Sequence, residues 1–153
     1  MQKDGILQRE SAPALYLYQQ QMGHHIQTGI AAVCHIEDYE NDIIKKHEKT
    51  RKDKEDDRTR LIGTLNANTG PVFLTYRESP AIDALVSNTL ASPPTSDFIA
   101  PDGIAHRVWR ITDTTPLVEA FKSVPVSYVA DGHHRTASTM RVGRNRRPAS
   151  QTP

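Results

Sequence analysis

Residues 126–135 read Val-Ser-Tyr-Val-Ala-Asp-Gly-His-His-Arg. This is the stretch of the sequence that most strongly indicates the fold. The apolar run over residues 126–130 predicts a buried strand, and we expect a helix from Thr136 to about Val142. Gly132 allows the backbone to turn sharply and to approach a ligand closely. The sequence therefore predicts a strand that enters a helix through a glycine turn.

This turn carries groups that can bind an anion. Free backbone N–H groups at the start of a helix favour negative charge. His133, His134 and Arg135 add side-chain donors, and a guanidinium can hold a phosphate through two parallel hydrogen bonds. Asp131 can orient one of the histidines or hold a divalent metal ion. We therefore predict that the turn binds a phosphate or a nucleotide.

Two alternatives stay open for the same residues. Asp131, His133 and His134 could form a metal site, although neighbouring histidines project in different directions on most backbones. The turn could also be a simple helix start with exposed histidines, since Asp-Gly before a helix is common.

A second charged stretch covers residues 39–60. It is polar almost all round, with Ile43 and Ile44 as its main apolar pair, and we predict a long helix. Glu48 is a candidate general base. One face of this helix, by three- and four-residue spacing, would carry His47, Arg51, Lys54 and Arg58. That face could meet phosphates, or it could be solvated and crossed by ion pairs.

Residues 66–71, Asn-Ala-Asn-Thr-Gly-Pro, form a dense turn signal before a compact, buried strand over residues 72–76. The amide of Asn68 offers a donor and an acceptor that could line a binding site. Such a turn can equally be an ordinary loop that connects two elements and binds nothing.

The remaining segments indicate an α+β fold with a mixed β-sheet, hairpins and flanking helices. We predict a hairpin from residues 15–18 and 26–36, and a second one from residues 98–100 and 105–111. Helices are expected from Ser79-Pro80 to Leu90 and over residues 114–122. We expect a single domain over residues 1–142, followed by a disordered or truncated tail over residues 143–153.

Composition narrows the function classes. The net charge of +1 over 153 residues gives no general attraction for nucleic acid, so we do not expect a nucleic-acid partner. The single cysteine, Cys34, excludes an internal disulfide framework and favours a reducing compartment. No apolar run approaches the roughly 18 residues of a membrane span, so we expect a cytoplasmic protein without a membrane partner. The sequence does not indicate the oligomeric state.

Three motifs, in this order, resemble a bacterial and archaeal family known as domain of unknown function 1015: residues 43–51 (IIKKHEKTR), 66–71 (NANTGP) and 130–135 (ADGHHR). The resemblance covers residues 15–142. Proteins of this family are longer, so we expect the chain to be an internal portion of such a protein.

The Asp-Gly-His-His-Arg segment is similar to a turn of the ParB and sulfiredoxin superfamily. There a Gly-x-x-Arg turn opens a helix and holds nucleotide phosphates, and Gly132 and Arg135 match it. Sulfiredoxin has a reactive cysteine where this chain has His133, so the resemblance does not imply sulfiredoxin chemistry. Free-serine kinases of this superfamily use a similar Asp-Gly-His segment and a glutamate base, which makes Glu48 a tempting counterpart.

The resemblance implies a phosphotransferase that uses ATP or ADP with Mg²⁺ on a small hydroxyl substrate. Glu48, Asp131 and His134 are the candidate catalytic residues, with Asp131 also holding the metal. The candidate phosphate and nucleotide ligands are Gly132, His133, His134, Arg135, His47, Arg51, Arg58 and Asn68. A nucleotide-sensing module without catalysis and a metal-dependent hydrolase are the alternatives.

Overall fold

The structure is a computed structural model, and it describes residues 3–5 and 10–147. The elements, in chain order, are β1 (Leu15–Met22), β2 (His25–Ala31), α1 (Ile36–Glu40), β3 (Ile44–Lys45), α2 (Lys52–Leu65), β4 (Phe73–Tyr76), α3 (Pro80–Leu90), β5 (Ser96–Ile99), β6 (Ala105–Ile111), α4 (Thr115–Phe121), β7 (Ser127–Asp131) and α5 (His133–Arg146). The predicted α+β class is confirmed.

The chain forms two compact units, each built from two separate segments. The first unit contains Met1–Val33 and Ser79–Ser123, and the second contains Cys34–Glu78 and Val124–Pro153. The expectation of one domain over residues 1–142 stays a prediction.

The first unit contains an antiparallel sheet with the strand order β2-β1-β6-β5. Both predicted hairpins are confirmed, although the second strand of the first hairpin ends at Ala31 rather than at residue 36. Leu17 and Trp109 are cross-strand partners, and both are buried. Ile82 and Leu117 are buried on the helices α3 and α4, which pack together.

The second unit contains a mixed sheet with the order β3-β7-β4. The central strand β7 is parallel to β3 and antiparallel to β4. Tyr39, Ile44 and Val129 form its buried cluster. The strand over residues 72–76 is less buried than predicted, since Phe73 is 47% exposed. Because β7 leads directly into α5, the centre of this sheet positions the glycine turn.

The predicted long helix over residues 39–60 is wrong. The helix α1 ends at Glu40, Asp42 adopts the left-handed conformation with φ of 56°, and Ile44 enters β3 beside β7. A polar segment has no apolar face that would stabilise a continuous helix, whereas Ile44 becomes buried in the sheet. His47, Glu48 and Arg51 therefore precede α2, and the shared helix face predicted for His47 and Arg51 does not exist.

The last helix is longer than predicted. It begins at His133 rather than Thr136, and it continues through Gly143, where disorder was expected. Ala137 and Val142 are buried in α5, and α5 packs against α2 and α1. Arg144 and Arg147 pair with Glu40 of α1, which extends the order to the end of the helix. The expected disorder of residues 148–153 lies outside the described residues.

Among the helices of the described ranges, none combines the length and the apolar composition needed to cross a membrane.

Candidate functional site

The glycine turn joins the central strand of the second unit to a 14-residue helix. Gly132 is the N-cap of α5 and has φ of 97°, a left-handed conformation that L-amino acids with a side chain rarely adopt. The first turn of α5 contains no acidic residue. The N-terminal end of its helix dipole therefore has no compensating negative charge within the helix and favours a bound anion.

A second helix begins at the same place. The backbone N–H of Arg51, the N-cap of α2, donates a hydrogen bond of 3.2 Å to Nε2 of His134. Since this nitrogen accepts, Nδ1 is the ring nitrogen of His134 that remains to donate a hydrogen bond. The helices α2 and α5, both of 14 residues, thus begin side by side.

The space at these two helix starts is an open pocket of about 370 Å³. It is lined by Glu48, Lys54, Arg58, Asp131, Gly132, His133, His134 and Arg135. Three of these side chains are cations and two are carboxylates. An anionic ligand therefore meets an excess of positive charge.

The acidic residues of α2 that form ion pairs do so with cations other than Lys54 and Arg58. Asp53 pairs with Arg51, Asp57 pairs with Arg60, and Asp56 pairs with Lys52. Hydrogen bonds from Lys52 and then Arg141 hold the pKa of Asp56 below its usual value.

Within residues 3–5 and 10–147, no ion pair involves Lys54 or Arg58. These cations stand four residues apart on α2, as the sequence spacing indicates.

The third cation, Arg135, is held more tightly. Its guanidinium contacts Oδ2 of Asp131 at 2.6 Å, and its Nε is buried without a hydrogen-bond partner among the described residues. The side chain of Asp131 is 73% exposed, so its second oxygen remains available to a ligand. The pair thus presents one anchored guanidinium and one accessible carboxylate oxygen.

His133 forms the inner wall of the pocket. It is 7% exposed, and its Nδ1 lies 3.7 Å from Oε2 of Glu48. The ring of His47 meets the ring of His133 edge-on, with 4.5 Å between their centroids. Nε2 of His133 is buried and has no partner in the part of the chain that is described. This side chain can orient Glu48 at the pocket mouth.

The structure brings together most, but not all, of the predicted site residues. Seven of the predicted site residues line the pocket, and Lys54, from the predicted cationic face, is the eighth lining residue. His47 reaches the site only through His133, and Arg51 contributes its backbone N–H while its side chain binds Asp53. Asn68 does not line the pocket, because its Oδ1 accepts a hydrogen bond of 2.8 Å from Thr139.

Sequence reasoning missed the part played by α5 beyond its first turn. Thr139 and Arg146 bind the amide oxygens of Asn68 and Asn66, at 2.8 Å each, and so fix the loop between α2 and β4. The polar residues at positions 139 and 146 were the available signal, but the helix was expected to end at about Val142.

A metal site made only of protein groups finds no support in this geometry. Among the described residues, no three His, Cys, Asp or Glu side chains converge as metal ligands. His133 faces Glu48, whereas His134 faces the Arg51 backbone. Neighbouring histidines that diverge in this way do not form a shared site.

Comparison with known proteins gives one match. Neither the curated proteins nor the solved structures contain a match to this chain. The model of one family, described as "Protein of unknown function (DUF1015)", matches residues 1–153. The chain that carries this two-helix pocket therefore belongs to the DUF1015 family, as its three sequence motifs predicted.

Proposed function

We propose that the pocket at Gly132 binds the phosphates of ATP or ADP, and that the protein transfers a phosphoryl group to a small hydroxyl substrate. One observation carries the proposal. Two 14-residue helices begin at a single pocket that is also lined by three cationic side chains, Lys54, Arg58 and Arg135. Helix N-termini and cations are the groups that proteins use to hold polyphosphates.

The roles of the phosphate-binding groups follow from their positions. Gly132 lets the ligand approach the backbone at the start of α5, because no Cβ stands in the way. Arg135 donates through its guanidinium, while Lys54 and Arg58 neutralise the charge from the side of α2. His134 can donate a hydrogen bond from Nδ1, because its Nε2 already accepts one. A nucleotide bound here leaves its base and ribose outside this set of charges.

Asp131 fits the metal that accompanies a nucleotide. Mg²⁺ is commonly bound by one or two carboxylates together with substrate phosphates and water. The exposed oxygen of Asp131 lies beside the proposed phosphate site and can supply one such ligand. Since Mg²⁺ bound in this way relies on the phosphates, the proposal needs no metal site made only of protein side chains.

Glu48 is the proposed base. Its side chain is 58% exposed at the pocket and lies next to the buried ring of His133. The carboxylate takes the proton of the substrate hydroxyl while that oxygen forms a bond to the terminal phosphorus of the nucleotide. The bond between this phosphorus and the bridging oxygen breaks, and the shortened nucleotide leaves with the electron pair. The cations stabilise the charge on the transferred phosphoryl group.

The proposal includes two further points. The glycine turn is similar to that of the ParB and sulfiredoxin superfamily, and the protein is located in the cytoplasm. A nucleotide-using enzyme works where nucleotides are abundant, and a cytoplasmic location agrees with a single unpaired cysteine.

Calorimetry tests the binding step directly. ATP and ADP, each with Mg²⁺, are titrated into the wild-type chain, Arg135→Ala and Arg60→Ala. Arg60 is the matched control, because its guanidinium pairs with Asp57 on the exposed side of α2 and does not line the pocket. We expect Arg135→Ala to weaken binding by about tenfold or more and Arg60→Ala to leave it unchanged. Equal affinities for all three proteins would remove Arg135 from the site.

Phosphorus NMR tests the transfer step. Mixtures of the protein, Mg²⁺ and ATP or ADP are screened with amino acids and sugars that carry a hydroxyl group. A new phosphate monoester signal, lost in Glu48→Gln, supports the phosphotransferase. Binding without any product in a broad screen would instead indicate a nucleotide-sensing module.

A further inference from the structure

Arg135 passes close to two glycines that lie far apart in the sequence. A Cβ atom added to Gly70 would lie 3.3 Å from Cδ of Arg135, and one added to Gly132 would lie 3.0 Å from its Nη2. Both distances are shorter than ordinary van der Waals contact with a methyl group. A side chain at position 70 or 132 would therefore take up space that the side chain of Arg135 now occupies.

The loop that carries Gly70 is anchored to the same helix as Arg135. Asn66 ends α2 in the left-handed conformation, with φ of 51°, and accepts a hydrogen bond from Arg146. Asn68 accepts a hydrogen bond from Thr139. Because both anchors are on α5, Gly70 is fixed relative to Arg135 rather than free to move away from it.

From this geometry, we infer that Gly70 is a positioning residue that holds the guanidinium of Arg135 against the glycine turn for phosphate binding. Because Gly70 has no Cβ, Cδ of Arg135 can lie close to this glycine, and Nε lies buried beside Gly132 without a hydrogen-bond partner among the described residues. Nη2 is then placed at 2.6 Å from Asp131. A methyl group at position 70 would push Cδ away by a few tenths of an ångström, and the guanidinium attached to it would shift from its place between Gly132 and Asp131. The inference rests on the proposed phosphate site for its functional part, but the positioning can be measured without a ligand.

The Nε–H signal of Arg135 reports this position directly. The full 153-residue chain is labelled with ¹⁵N, and the signal is assigned by its loss in Arg135→Lys. We expect Gly70→Ala and Gly70→Val to shift the signal and to speed its exchange with water, since the buried nitrogen becomes accessible. Gly63→Ala is the matched control, because a Cβ on Gly63 of α2 meets no atom within 4 Å. An unchanged signal in both Gly70 variants would overturn the inference.

A double-mutant cycle tests whether Gly70 supports phosphate binding through Arg135. Its readout is the affinity for inorganic pyrophosphate. We expect Gly70→Ala to weaken binding about fivefold when Arg135 is present, which corresponds to about 1 kcal/mol. The same substitution in an Arg135→Ala background should cause no further loss, since its effect acts only through Arg135. An equal loss in both backgrounds would contradict the positioning role. If the wild-type chain binds no pyrophosphate, the proposed function fails, and the NMR comparison still decides whether Gly70 positions Arg135.

Discussion

The backbone N–H of Arg51 and Nε2 of His134 are joined by a hydrogen bond of 3.2 Å, although 82 residues separate them in the sequence. This bond connects the start of α2 to the first turn of α5. It satisfies one of the backbone donors that a helix start leaves without an intrahelical partner. The two helix starts that define the pocket are therefore linked directly to each other.

We expect His134→Ala to lower the free energy of unfolding by about 0.5–1.5 kcal/mol, the usual net value of one hydrogen bond. The Arg51 amide then has only water as a partner. Urea unfolding monitored by circular dichroism measures the change. His24→Ala, at an exposed turn position, serves as the control and should stay within about 0.5 kcal/mol of the wild type. Equal effects of both substitutions would mean that the bond does not stabilise the fold.

Lys54 and Arg58 should contribute to anion binding through their charge. We expect Lys54→Gln and Arg58→Gln each to weaken binding of ADP about three- to tenfold at low salt, because each removes a positive charge from the pocket. The loss should shrink as salt is raised, since salt screens the attraction in the wild type. Titration calorimetry at two salt concentrations measures this. Affinities that do not depend on salt would argue against a charged site.

Glu48→Gln should separate binding from turnover. The amide keeps the shape of the side chain but cannot accept the proton of a hydroxyl substrate. We expect nucleotide affinity within about a factor of three of the wild type, while transfer falls about 10²–10⁴-fold, the usual contribution of a general base. Kinetics with the hydroxyl substrate identified by NMR give the comparison. Full turnover in this variant would exclude Glu48 as the base.

Gly132→Ala should be destabilising for two reasons. The residue has φ of 97°, and a Cβ would meet the guanidinium of Arg135 at 3.0 Å. We expect a loss of about 1–3 kcal/mol in the free energy of unfolding, together with weaker binding of pyrophosphate. Gly63→Ala, within α2 and clear of other atoms, should instead raise stability by up to about 1 kcal/mol. Chemical denaturation of both variants provides the test.

Glu40 should make the second unit sensitive to acid. A hydrogen bond from Arg144, joined by one from Arg147, holds the pKa of Glu40 below its usual value. Because the folded-state pKa is lowered, the stabilisation is present in full above the ordinary pKa of about 4.3. It is lost as the pH falls through the folded-state value. Glu40→Gln should therefore lower the melting temperature most at neutral pH.

The difference between Glu40→Gln and the wild type should shrink steadily as the pH falls below about 4.3. Thermal unfolding followed at several pH values measures it. A gap that stays constant across this range would show that the two arginines do not stabilise the ionised carboxylate.

Local patterns predicted the elements that depend on local chemistry. The hairpin of β1 and β2, the helix that starts at Pro80 and the strand-to-helix turn at Gly132 each carry their own turn or capping residues. The pocket residues from 131 to 135 were therefore found together from the sequence.

The segment around Ile44 was predicted wrongly because its structure depends on a distant partner. Its two strand residues pair with Ser127 and Tyr128, which no local pattern reveals. For the same reason the sequence placed Asn68 in the site, although Thr139 of α5 binds it. The close approach of Arg135 to the space beside Gly70 likewise depends on tertiary packing.

The interleaved order of the two units has a consequence for biosynthesis. Glu48, Lys54 and Arg58 leave the ribosome well before Asp131, and a whole segment of the other unit is made between them. The central strand of the pocket-bearing sheet is its last strand to be made. Until then, the nascent chain contains the pocket residues of the α2 side but not those that follow β7. A ribosome stalled before residue 127 should thus display a protease-sensitive intermediate, since the pocket is complete only once β7 and α5 have been made.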